Sequence, residues 1–133
     1  KKFLEISKTY IQESEYFFLD STSSIINNYG RKNSYSFCSR YSEYESLQTS
    51  KNFLKAKLIN WIWIDVFNKL PLDHNISNEL NKLQAKKCLT SPCLLNRKED
   101  IKNYALLIKK YNLKIDAICC KYQNIDLWKK WLI

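Results

Sequence analysis

The chain has 133 residues, with one glycine, two prolines and no methionine; 45% of its side chains are apolar and 14% aromatic. That length suits a single compact domain, residues 1–133, with a real core. So little Gly and Pro excludes a many-turned β-sandwich, a Gly-rich phosphate loop and collagen-like sequence. Net charge is +9 and uneven: residues 1–66 carry nine basic and seven acidic side chains, whereas the basic half, 67–133, carries thirteen and six.

With no initiating methionine, the sequence is expected to be a mature chain or an excised domain, with no targeting segment left to read. The basic half suits nucleic acid, an anionic membrane surface or an acidic partner. Two features weigh against a phosphate-reading surface. Nineteen of the 22 basic residues are lysine, whereas bidentate phosphate and base recognition favours arginine. Lys, Asn, Ile and Tyr are also abundant together, which AT-rich coding DNA produces unselected.

In chain order, residues 3–29 read as a helix. Leu4, Ile11, Phe18 and Ile25 recur every seven residues, and Gly30 stands where a left-handed C-terminal cap is expected. The Ser run 21–24 is a second place where this helix can break. Residues 31–50 form a polar segment with six serines and three tyrosines, read as either a loop or a short helix over 38–47. Residues 51–70 are the most apolar. Their β-branched content favours a strand, but some twenty residues without a breaker before Pro71 favour a buried helix. Asn60 and Asp65 make this run too interrupted to span a bilayer.

Ile76, Leu80 and Leu83 share a helix face over 76–87, and a loop over 88–96 follows. Asn96 and Glu99 then form an N-capping pattern for an amphipathic helix containing Ile101, Tyr104, Ala105, Ile108 and Tyr111. A last segment, 115–133, restarts as a helix near Asn124 or Asp126. The expected fold is therefore all-α, a single bundle of five or six helices.

Five cysteines, Cys38, Cys88, Cys93, Cys119 and Cys120, permit disulfide stapling in an oxidising compartment, with Cys88 and Cys93 bracketing a bent loop around Pro92. In a reducing compartment they serve as small buried hydrophobes. The Cys88-x4-Cys93 spacing and the adjacent Cys119-Cys120 suit zinc poorly, so neither a metal nor a cofactor is expected. His74 is the only histidine, in a loop-like context, and Glu13/Glu15 and Glu43/Glu45 lie two apart, so no catalytic pairing emerges. Asp65, inside the apolar run, reads as a solvent-facing notch or a partnered core group.

The sharpest pattern is 101–124. There a turn at Asn112, a residue that tolerates positive φ, separates apolar positions at helix-turn-helix spacing. Lys98, Lys102, Lys109 and Lys121 are its candidate phosphate-binding residues. Tyr35, Tyr41 and Tyr44 in the polar segment, with Trp128 and Trp131 beside Lys129 and Lys130, are candidate partner-binding residues. These features favour a non-enzymatic helical protein–protein interaction module, secreted or surface-exposed and disulfide-stabilised. One alternative is an intracellular or organellar nucleic-acid-binding or ribonucleoprotein subunit using 101–124. Another is a helical carrier of a small apolar ligand lined by residues such as Trp61, Ile62 and Phe67. A protein is the favoured partner, ahead of nucleic acid and of an anionic membrane surface.

Overall fold

The structure, a computed structural model, describes residues 6, 9–11, 16–30 and 35–132. Its order is α1 (Ser23–Gly30), β1 (Cys38–Tyr41), α2 (Leu47–Lys55), β2 (Trp61–Ile64), α3 (His74–Lys82), β3 (Lys86–Thr90), α4 (Ile101–Lys110), β4 (Ala117–Cys119) and α5 (Ile125–Leu132). The four strands form one parallel sheet in the order β1-β2-β3-β4. The fold is therefore α/β, and the all-α bundle is overturned.

The most apolar run explains the error. Trp61-Ile62-Trp63-Ile64 is buried at all four positions, because a parallel sheet has both faces covered and its strands lose the period-two signal. Lys57 adopts a left-handed φ of 55°, which ends α2 and frees the chain to extend well before Pro71. Residues 86–87, read as the end of a helix, 88–90, read as loop, and 117–119, read as part of the last helical segment, are likewise strands.

Alternation along each strand sorts the core. Tyr41, Ile62, Ile64 and Leu89 face the helices and pack with Leu47 of α2, Leu80 of α3, Ile101, Tyr104, Ala105 and Ile108 of α4, and Trp128 of α5. Every connecting helix thus covers the same face, as expected when successive crossovers of one hand step across a parallel sheet. The opposite face carries Cys38, Trp61, Trp63 and Cys88, packed with Phe17, Leu19 and Ala117. Phe18 forms a parallel bridge to Phe37, so residues 17–19 run extended beside β1 rather than in the expected long helix. Leu4 of the seven-residue stripe lies outside the described residues.

Gly30 is needed for a different reason from the one expected. It sits inside α1 with negative φ, and a Cβ there would lie 2.6 Å from the Leu58 carbonyl oxygen. Asn112 does take the left-handed turn, at φ 51°, but a strand rather than a recognition helix follows, so 101–124 is a helix–turn–strand.

Candidate functional site

In parallel α/β sheets, ligands are received in crevices outside the carboxyl ends of the strands, where the connecting loops converge. At the ends of β1 and β2, Arg40 and Asp65 project from the face opposite the helices. Arg40 Nε stands 3.3 Å from Asp65 Oδ2, an ion pair, while its terminal nitrogens reach Asp20 and, at 3.6 Å, Glu45. Asp65 is 8% exposed; it accepts from Trp63 Nε1 at 3.2 Å and from the Val66 N–H at 3.0 Å. It is thus the partnered polar group its sequence context allowed. Thr90, one step beyond the Ile64–Leu89 pair and so beside Asp65, keeps a buried hydroxyl without a hydrogen-bond partner among the described residues.

The loop after β2 is held from two sides. The N–H groups of Phe67, Asn68 and Lys69 converge on the Glu43 carboxylate at 2.7–3.2 Å. Partial burial pushes that carboxyl up, but donation from Lys69, its own N–H, Asn68 and Phe67 prevails and holds it below its ordinary 4.5. Arg97, from the loop after β3, donates to the carbonyls of Val66, Phe67 and Asn68 and pairs with Asp100 at 3.1 Å. One arginine therefore locks two neighbouring loops.

At the ends of β3 and β4 the chemistry changes sign. A cleft runs between the start of α4 and the length of α5, with one lobe of about 520 Å³ and another of about 380 Å³. Lys98, Glu99, Gln123 and Asn124 line both lobes, Lys102 and Trp131 the first, and Lys121 and Asn96 the second. Lys121 Nζ is held 3.1 Å from Asn96 Oδ1, and Lys102 Nζ lies 4.5 Å from the Trp131 ring centre. Asn96 takes φ 59° and closes the turn over Pro92–Leu95, in place of its expected N-capping role.

The candidate partner-binding residues separate. Tyr44 is 72% exposed, its ring 5.6 Å from Phe67 and its hydroxyl accepting from Asn68 Nδ2 at 2.7 Å. Tyr41 is buried and donates to the Pro71 carbonyl at 2.7 Å, and Trp128 is buried and donates to Ser91 Oγ at 2.9 Å. Tyr35 is half-buried among Phe18, Tyr29 and Phe37, and Trp131 is half-buried between Lys102 and Lys130. Of the candidate phosphate-binding lysines, Lys98, Lys102 and Lys121 line the α4–α5 cleft; Lys109, in the last turn of α4, does not.

The expected disulfides do not form. All five cysteines are free: Cys38 and Cys88 are buried in strands, Cys93 is buried in the turn after β3, Cys119 is exposed and Cys120 intermediate. The geometric reason is that Cys88 and Cys93 flank no stapled loop, because Cys88 belongs to β3 itself. Burial pushes Cys38 and Cys88 up to about 12, with Asp20 and Cys119 respectively adding to the effect, so neither is a ready nucleophile. His74 opens α3 with Nδ1 3.1 Å from Asn78 Nδ2, away from any thiol contact. Among the described residues no cluster of three or more His, Cys, Asp or Glu side chains is placed to hold a metal ion, and no helix is long and apolar enough to cross a membrane.

Comparison with protein-family models, with curated proteins and with solved structures gives no match.

Sequence reasoning missed Arg40, Asp20, Glu45 and Asn124 because their partners are 20 or more residues away or belong to other elements. The only local signal was the charge of Asp65 within an apolar run.

Proposed function

We propose that the chain is a non-enzymatic protein-interaction module that receives its partner at the carboxyl edge of the sheet. The observation that carries this reading is the placement of exposed large apolar side chains. The loop after each strand presents at least one: Tyr44 after β1, Phe67 after β2, Leu94 and Leu95 after β3, and Tyr122 after β4. Ring contact between Tyr44 and Phe67, the Arg97 bonds to the Phe67 loop and the Lys121–Asn96 bond tie these loops into one rim. Amphipathic rings at the rim of a rigid scaffold suit an interface, since they bury much area at little entropic cost. Binding, rather than bond-making, is favoured because the carboxylates at the ends of β1 and β2 are engaged by Arg40 and by backbone donors, and the Cys38 and Cys88 thiols are held protonated.

A photo-crosslinking side chain placed at position 44 or 122, and at position 29 as a control, tests this in extract from the native cells. Tyr29 is exposed but lies in α1 next to Gly30, which packs against Leu58 away from the carboxyl edge. The expected result is one discrete adduct from positions 44 and 122 and none from 29. Equal labelling from all three, or none from the two edge positions, overturns the reading.

A further inference from the structure

Independently of the partner reading, we propose that the cleft between α4 and α5 binds a phosphomonoester attached to an apolar body. Three features of the cleft converge on this ligand chemistry. Lys98, Lys102 and Lys121 all line it, against a single carboxylate, Glu99. Among the described residues none of these lysines has an ion-pair partner, and two are already oriented, Lys121 by Asn96 and Lys102 by the Trp131 ring. The cleft also lies at the carboxyl ends of β3 and β4 and borders the first turn of the ten-residue α4.

The third feature points to a ligand most directly. Asn124 is 9% exposed and lines both lobes, yet its side-chain amide makes no hydrogen bond among the described residues. Its polar atoms are not among the fully buried, unpartnered ones, so the solvent of the lysine-lined cleft reaches them and a ligand there can replace that solvent as acceptor. A phosphate oxygen supplies that acceptor. The lysines act as point charges on the dianion, and Asn124 adds direction. Beyond the charged groups the wall turns apolar, with buried Ile101, partly exposed Leu127 and Trp131, which fits a ligand whose phosphate carries an apolar body.

The test is titration of the ¹⁵N-labelled chain with phenyl phosphate, inorganic phosphate and phenol, following the Asn124 side-chain amide and the backbone N–H groups of Lys98 to Lys102. Phenyl phosphate is expected to saturate these shifts, inorganic phosphate to do so more weakly, and phenol to leave them unmoved. Asn124→Asp places a like charge against the ligand and is expected to weaken binding about tenfold or more, given the usual strength of charged hydrogen bonds. Lys98 is exposed, so Lys98→Ala leaves folding intact and is expected to weaken binding too, whereas Lys109→Ala is not. Shifts that never saturate, equal losses in Lys98→Ala and Lys109→Ala, or unchanged affinity in both Lys98→Ala and a folded Asn124→Asp would overturn the proposal. So would an oligonucleotide that binds through Lys109 as well as Lys98 while phenyl phosphate does not bind.

Discussion

The carboxyl edge of the sheet has two halves of opposite character. At the ends of β1 and β2, one arginine is ringed by Asp20, Glu45 and Asp65, and Glu43 is bound by three backbone donors. At the ends of β3 and β4, three lysines and the side chain of the largely buried Asn124 face a cleft with one carboxylate. In the first half polar groups spend their bonding capacity on one another and fix the loops. In the second half the capacity is left over. Four of the chain's thirteen acidic residues, Asp20, Glu43, Glu45 and Asp65, thus lie at the half of the edge where their charge is structural.

The largest expected effect tests the claim that the acidic half is structural. Arg40→Met leaves Asp65, largely buried, without its cation, and is expected to cost about 3 kcal/mol in a urea titration, since breaking a buried pair strands the remaining charge. The more exposed partners Asp20 and Glu45 add little to that. A loss below about 0.5 kcal/mol, the usual range for an ordinary surface change, would remove the contrast between the halves.

Arg97→Ala comes next, at about 2 kcal/mol, because the Val66, Phe67 and Asn68 carbonyls lose a charged donor together. Hydrogen exchange confined to the loops after β2 and β3 is the specific readout. Glu43→Gln is expected to cost about 1 kcal/mol near neutral pH. Because folding lowers the Glu43 pKa, its contribution is fully present above the ordinary 4.5 and is lost as pH falls through the lower folded value. The wild type should therefore lose stability relative to the Gln variant as pH falls from 4.5 through that folded value, and not above 4.5; parallel pH profiles would show that the carboxylate does not hold the loop. Smallest of all, Lys98→Ala should change stability by less than about 0.5 kcal/mol, as expected of an exposed lysine with no ion-pair partner among the described residues. A larger loss would place the basic half among the structural elements as well.

Parts of the fold were legible because they depend on neighbours along the chain. The helix over 74–82 shows its apolar stripe of Ile76 and Leu80, the helix over 101–110 shows Ile101, Tyr104, Ala105 and Ile108, and the last helix begins beside the expected restart near Asn124. The turn at Asn112 was equally local. The sheet was not legible. Its strands are three to five residues long, and β2 is buried on both faces, so neither length nor alternation distinguished Trp61–Ile64 from a buried helix. The assignment of 51–70 to one helix failed at Lys57, whose left-handed backbone no composition rule signals.

By itself the sequence determined a compact chain with three recoverable helices, a basic second half and a set of lysines and tyrosines with surface chemistry. Only the tertiary structure decided that four short segments pair as a parallel sheet, which sends Tyr41 and Trp128 into the core and leaves Tyr44 in solvent. It also gathered Arg40 with Asp20 and Asp65, and Lys98 with Lys121 and Asn124, across separations of 20 to 26 residues. The physical reason is that helix periodicity is written in contacts three and four residues apart. Strand pairing and ion clusters instead arise from contacts between distant segments, which only the folded core brings within reach.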